Sequence, residues 1–379
     1  MNMEKRSYHR HGVETVGHPR LEMPALERIK WSDIKAEKPK LLEIKDWDRY
    51  SSTLPQAEYV VITWTEAEWN ALDFVFCDSD EDMPYFRGSH KNEWRNKWYK
   101  YSNGYEKAKK EYDIPSYAPS VEQDAWGSIF LVEVNGKKVL LIKSEMHIST
   151  DGKEMPVLAF VERIVKEASP KTLFTIGTAG GAKVDSKLGD VSITNAGKFE
   201  LTGEFKNKKF ANSTYSNKWQ PKEDIQKKIA PLLRGVPATQ EMMNILVEEL
   251  NNEEGTDLKW DDLKNNDIEP NKLADAKATF WDQDPVLTTN GYEIATTDGN
   301  YKTYVAMDMD DAAVAMVCHD FGIPFGSFRN ISDPVINAEI PSKKSLHTIQ
   351  KGWSAKIYST FGFYSSYNGA IATWAAIAG

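Results

Sequence analysis

The sequence predicts an α/β fold: a three-layer α/β/α sandwich around a mixed central β-sheet. Two observations carry that prediction. A helix with Val157, Phe160, Val161, Ile164 and Val165 at helical spacing stands between two β-rich runs, and strand, helix, strand in that order implies a right-handed parallel crossover. Just upstream, SIFLVEV and KKVLLIKSEM flank the turn dipeptide Asn135-Gly136, so the sheet also holds a hairpin or adjacent strand pair.

The elements follow in order. Residues 1 to about 55 mix charge and proline with little periodicity and read as an N-terminal extension; residues 56–379 form the domain proper. The β-rich run Tyr59 to Thr63 passes into helical spacing from Thr65, a strand-to-helix junction. Residues 83–125 crowd Tyr, Trp, Lys and Asn with no clean period and read as a surface insertion. The hairpin comes next, followed by the helix Pro156 to Ala168. A strand from Thr172 to Ile176 then enters GTAGG, and GDVSITNAG supplies a further strand. Residues 205–280 are polar, with helical pieces such as Glu241 to Asn251, and read as a second insertion. The core returns at VLTTNGYEIA. A helix containing Asp311 to Phe321 runs into the strand Pro324 to Ile331, with a turn expected at Arg-Asn-Ile-Ser-Asp, and Lys343 to Ala378 offers a long terminal helix.

Composition narrows the function. A net charge of -9 and a pI near 5.5 give no global attraction to nucleic acid or to an anionic membrane. The two cysteines, Cys77 and Cys318, sit in apolar segments without metal-type spacing and read as reduced core thiols. No stretch approaches the roughly 18 apolar residues of a membrane span, and the N-terminus lacks a signal-type apolar run, so a cytoplasmic protein is expected. Neither a metal nor a cofactor is expected.

Three segments carry chemistry. GTAGG follows a strand, where Gly177, Gly180 and Gly181 let backbone amides approach an anion or a polarised oxygen; a plain tight turn is the equal alternative. It lacks the Lys-Ser/Thr of a P-loop, and no dinucleotide fingerprint is present. In VAMDMDDAA, Asp310 beside Met309 can accept two hydroxyl hydrogen bonds, or the acids simply favour a helix N-terminus. In RNISD, Asp333 stands where a buried strand would end and is the best candidate for a catalytic group.

Strand-GTAGG-GDV, then MDDAAVA, then RNISD, in this order, resembles the nucleoside phosphorylase and nucleosidase superfamily, and in particular the methylthioadenosine/adenosylhomocysteine nucleosidases. The similarity covers about residues 57–80, 128–204 and 284–378. It implies a nucleoside phosphorylase-like catalytic domain acting on a purine nucleoside or nucleotide, in a homo-oligomer. It also implies roles for residues. Asp333 would be the general acid at purine N7. Glu68, in ITWTEAEWNAL, would activate the attacking water, with Glu66 in reserve. Asp310 matches the ribose acceptor, which is normally the longer glutamate, and Met309 the methionine against the sugar. Tyr292 falls near the aromatic that stacks on the base. Thr178 would face the nucleophile beside Gly180, and Arg329 would orient a carboxylate. His147, in a segment where relatives carry glycines, would reach the ligand.

The absence of arginine near Glu68 favours hydrolysis over phosphorolysis, since the phosphorylases carry glycine and arginine there for phosphate. The expected reaction is release of a free base, adenine, from a ribosyl product. The competing readings are a phosphorylase and a non-catalytic nucleoside-binding or storage protein. A third is an AMP- or ATP-depleting defence effector, for which Arg87, His90, Lys91, Arg95, Lys97 and Lys100 among Trp94, Trp98, Tyr99 and Tyr101 would hold phosphates and stack a base.

Overall fold

The computed structural model describes residues 21, 23, 26–77, 97–263, 276–333 and 335–379. Their strands are β1 (Lys40–Leu42), β2 (Tyr59–Thr63), β3 (Tyr99–Tyr101), β4 (Gly127–Val134), β5 (Lys137–Ser144), β6 (Thr172–Gly181), β7 (Val191–Thr194), β8 (Ala196–Glu200), β9 (Thr214–Ser216), β10 (Ala278–Trp281), β11 (Val286–Thr289), β12 (Ala306–Asp308) and β13 (Phe325–Asp333). The helices are α1 (Glu66–Leu72), α2 (Tyr105–Glu111), α3 (Pro119–Gln123), α4 (Val157–Ala168), α5 (Ile225–Ile229), α6 (Gln240–Glu254), α7 (Trp260–Leu263), α8 (Asp311–Phe321) and α9 (Leu346–Ala378).

One mixed sheet joins the strands in the order β1-β4-β5-β2-β6-β12-β11-β8-β9, with β13 beside β6 and β7 beside β13. Strand β6 is its hinge line. Its first half pairs in parallel with β2, through Thr172 to Thr175. Its last residues, Gly180 and Gly181, instead pair antiparallel with Met307 and Ala306 of β12. Parallel pairing with β13 runs along its length, from Leu173 opposite Phe325 to Gly180 opposite Asp333.

The side chains show why these runs became central strands. In β2, Val61 packs on one face while Val60 and Ile62 pack on the other; in β5, Val139 and Leu141 oppose Leu140 and Ile142. A strand buried on both faces reads as a continuous apolar run, as VVI and VLLI do. One apolar layer holds α1, α6 and α9, and the other holds α4 and α8. This is the expected three-layer α/β/α sandwich. The β4–β5 hairpin closes on Asn135 and Gly136 at φ 47° and 75°, the left-handed pair that a two-residue turn requires.

Two expectations are corrected. GTAGG is not a loop but the end of β6, and RNISD is not a turn but the end of β13. The physical reason is crowding. Side chains from neighbouring elements occupy the space over the glycines, Met307 over Gly180 and Val335 with Ile331 over Gly181, so the chain stays extended there while lacking side chains of its own.

Aromatic residues of 97–125 enter the core: Tyr101 and Tyr105 are fully buried beside α4. Met243, Leu246 and Leu250 of α6 pack in the same layer as Trp353 and Ile357 of α9. Upstream, β1 pairs with β4, and Trp31 meets Trp374 with ring centroids 4.8 Å apart. Cys77 and Cys318 are both buried and form no disulfide among the described residues. Among the described residues no helix is long and apolar enough to cross a membrane, and no group of three His, Cys, Asp or Glu side chains could hold a metal.

Candidate active site

The C-terminal ends of β2, β6 and β13 converge with the β12–α8 junction and the segment after β5 around a cavity of about 1300 Å³. Glu68, Thr178, Gly180, Tyr292, Met309, Asp310, Arg329, Asp333 and His147 all line it. Residues separated by up to 265 positions in the chain thus meet because three strands end at one edge of the sheet.

Glu68 is placed by helix capping. It is the third residue of α1, and Thr65 is the N-cap; the Glu68 carboxylate folds back so that Oε2 accepts from the Thr65 and Trp64 N–H groups, each at 2.9 Å, and from Thr63 Oγ1 at 2.7 Å. Oε1 accepts from the Thr178 N–H and from its hydroxyl, both at 2.7 Å. Glu68 is thus a first-turn acid of α1 whose side chain also lines the cavity. Burial alone would raise its pKa, but the Arg329 charge and the N–H donors of Thr65, Thr178 and Trp64 prevail and hold the carboxyl below its ordinary range. Glu66 is half-buried and also lines the cavity.

Arg329 is almost completely buried at 3% exposure. Asp311 grips it through Nε, at 2.7 Å, and through Nη2, and Asp308 adds a contact to Nη2 at 3.0 Å. Burial opposes its charge, yet Asp311 and Asp308 outweigh that and leave the guanidinium firmly protonated. Asp308 is pushed up to about 7, first by burial and then by the Asp311 charge, against the opposing pull of Arg329. Its Oδ2 also accepts the Asp310 and Asp311 N–H groups, at 3.2 and 2.8 Å, at the start of α8. From the sequence, Asp308 and Asp311 had only the helix N-terminus alternative, and their place around Arg329 was not foreseen. Their signal was present in MDMDDAA, where acids three apart straddle a helix start.

The role of Gly177 differs from the one expected. A Cβ there would overlap Arg329 and stand 3.2 Å from Glu68 Oε1. The glycine admits a protein guanidinium against the strand, not an anion.

Asp310 is 5% exposed, and both its oxygens are engaged: Oδ1 accepts from the Ile148 N–H at 3.1 Å, and Oδ2 lies 3.0 Å from His147 Nδ1. Burial lowers the His147 pKa, but the Asp310 charge and hydrogen bond more than reverse that, so the imidazole holds its proton more tightly than usual. Met309 is half-buried on the same wall.

At the opposite side, Asp333 ends β13, with Oδ2 3.3 Å from the Tyr292 hydroxyl and Oδ1 3.4 Å from Ser332 Oγ. Burial raises its pKa to about 7, partly offset by those two hydroxyls. Tyr292 is raised well above the ordinary phenol value by burial and by Asp333.

Of the aromatic and basic cluster, Arg87, His90, Lys91, Trp94 and Arg95 lie outside the described residues. Trp98 and Lys100 line the cavity, and Lys100 Nζ donates to Gln123 Oε1 at 3.1 Å. Lys143, also lining it, is paired with Glu145.

The arrangement can present an acid and an ionised carboxylate to one ligand from two walls. Residues 105–351 match the model of the phosphorylase superfamily. The 5'-methylthioadenosine/S-adenosylhomocysteine nucleosidase of Actinobacillus succinogenes is 23% identical over 54% of this chain and 72% of its own. The enzyme of the same name from Shewanella halifaxensis is 43% identical over a shorter stretch, 14% of this chain and 21% of its own. A crystal structure of a Helicobacter pylori nucleosidase mutant with 5'-methylthioadenosine in the active site superposes with a TM-score of 0.44 at 10% identity, over 85% of this chain and 98% of that one.

Proposed function

This chain belongs to the phosphorylase superfamily, and from that premise we propose that it is an N-glycosyl hydrolase, cleaving a purine nucleoside to free base and sugar. The observation that carries the reading is the divergence of two carboxyls in one cavity: Asp333 raised to about 7, and Glu68 held below its ordinary range. Environments that push two carboxyl groups apart assign one to acid work and the other to its ionised form.

In this reading the base sits toward Tyr292 and Asp333, and the sugar toward Met309 and Asp310. The bond between the anomeric carbon and purine N9 breaks as Asp333 gives its proton to N7, so the leaving base departs neutral. A water oxygen bonds to the anomeric carbon from the side of Glu68. Its proton passes to the Glu68 carboxylate, which can accept it by exchanging the Thr178 hydroxyl for the water. A carboxylate with lowered pKa is a weak base toward free water. It becomes competent as the water acquires positive charge on bonding to an electron-poor sugar carbon, and until then it orients the water. Arg329, clamped by Asp311 and Asp308, sets the field in which Glu68 stays ionised.

Hydrolysis is favoured over phosphorolysis by the cations around the cavity. Arg329 and Lys143 are paired with carboxylates and His147 lies against Asp310, so a phosphate nucleophile at these groups would have to break ion pairs to bind, while Lys100, also on the lining, is held by the neutral Gln123.

The test is to incubate the protein with adenosine, inosine, methylthioadenosine, adenosylhomocysteine, AMP, ATP and NAD, with and without phosphate, and to quantify free base. Base release independent of phosphate is expected. Release that strictly needs phosphate would mean a phosphorylase, and a preference for AMP or ATP would favour the nucleotide-depleting reading. No release from any compound, together with tight binding, would mean a nucleoside-binding protein.

A further inference from the structure

We propose that His147 is the group that reads the ribose hydroxyls in this site, and that Asp310 acts on the sugar through it as a positioning residue. The inference rests on the nucleosidase reading above and deepens it.

An aspartate at a helix start has little reach, and this one has no oxygen to spare. The Ile148 N–H takes Oδ1 and the imidazole takes Oδ2. Its side chain is 7% exposed, against 21% for the imidazole in front of it. A ligand approaching this wall of the cavity therefore meets the ring before the carboxylate. With Nδ1 turned to Asp310, the nitrogen left for a ligand is Nε2, and no described residue hydrogen-bonds to it. With Nδ1–H given to Asp310, the ring's tautomer and orientation are fixed: Nε2 accepts from a sugar hydroxyl while the ring is neutral and donates to a sugar oxygen when the ring is protonated, a state the Asp310 charge favours.

The backbone holds the ring's position from below. The His147 N–H donates to Asp151 Oδ2 at 2.6 Å, the Met146 N–H to Ser144 Oγ at 3.0 Å, and Trp64 Nε1 to the Met146 carbonyl at 3.1 Å. Trp64 leads directly into α1 and Glu68, so the hydroxyl reader and the water-facing carboxylate share one scaffold. A site built around a buried hydrogen-bond partner rejects an analogue lacking the matching hydroxyl, because that partner is then left unpaired.

The experiment is calorimetric binding of adenosine, 2′-deoxyadenosine and 3′-deoxyadenosine to wild-type protein, His147→Ala and His147→Phe, each checked for folding by thermal melting. Neither substitution touches the backbone bond to Asp151, and either variant that folds suffices. In the wild type at least one deoxy analogue should bind on the order of 10-fold more weakly than adenosine, as expected for one lost hydrogen bond. In the variants that ratio should fall to about one, with affinity for free adenine unchanged. Variants that keep the wild-type ratio would overturn the inference while leaving the nucleosidase reading intact, and so would a wild type that binds all three alike. A wild type that binds no nucleoside would overturn both.

Discussion

The guanidinium of Arg329 lies against the bare Cα of Gly177, in the space a side chain there would fill. Three elements meet at that contact: β6 supplies the gap, β13 the arginine, and α1 the Glu68 carboxylate 3.2 Å from the same point. Gly177→Ala must therefore displace an arginine clamped by two buried aspartates. We expect a destabilisation of about 1–3 kcal/mol, typical of overpacking, together with loss of base release. Gly180→Ala is the control. There the added carbon meets the flexible tip of Met307 at 3.2 Å, so urea unfolding should show a clearly smaller cost. Equal stability of the Gly177 variant and the wild type would show that Arg329 can vacate that space freely.

In the proposed reaction Asp333 is expected to set the pH dependence of turnover. Its carboxyl is raised by burial to about 7, and the proposed chemistry uses the protonated form. The rate should be flat below that value until Glu68 itself becomes protonated, and should fall about tenfold per pH unit above it. Asp333→Asn, which keeps the shape but has no acidic proton, should lower kcat by roughly 10²–10⁴-fold. A rate that continues to climb above pH 8 would rule out an acid role for this carboxyl.

Much of this site was legible in the chain, because strand ends and helix starts are where local rules are strict. Thr65 followed three residues later by Glu68 is a capping signature, and the structure fulfils it. Asn135-Gly136 between apolar runs gave the hairpin directly. What could not be read was the third dimension of the glycines and acids. GTAGG looks like a turn because glycine frees the backbone, yet β6 stays extended since its neighbours fill the missing side-chain space. Asp308, Asp310 and Asp311 are adjacent and chemically alike, but face Thr288, His147 and Arg329 respectively. Nothing local separates those fates; the pairing of β12 and β13 with β6 does.

Thr178 tests the other side of Glu68. Its hydroxyl gives one of the five hydrogen bonds to the carboxylate, and its N–H gives another that survives any substitution. Thr178→Val should cost about 1 kcal/mol of stability, as for one lost hydrogen bond, while shifting the pH dependence of water activation because Glu68 loses a donor that favours its charge. Glu68→Gln should be worse on both counts. It places an NH₂ against N–H and O–H donors, costing about 1–3 kcal/mol, and removes the proposed proton acceptor. Denaturant midpoints and rates measured side by side separate the two effects; a glutamine variant with wild-type turnover would remove Glu68 from the chemistry.

Asp151, directly beneath His147, makes a prediction about stability alone. Burial raises its carboxyl to about 7 from an ordinary 3.8, against the pull of His147 and the hydrogen bonds it accepts. The folded state therefore keeps a proton that the unfolded chain releases between those two values. The stability this lends is fully present below the unfolded value and is lost as the pH rises through about 7. Asp151→Asn cannot titrate and serves as the reference. The wild type should lose stability relative to the variant across roughly pH 4–7, with a slope approaching about 1.4 kcal/mol per pH unit. Urea unfolding of both proteins at several pH values measures that slope directly, and parallel curves would mean that Asp151 ionises in the folded protein as easily as in the unfolded chain.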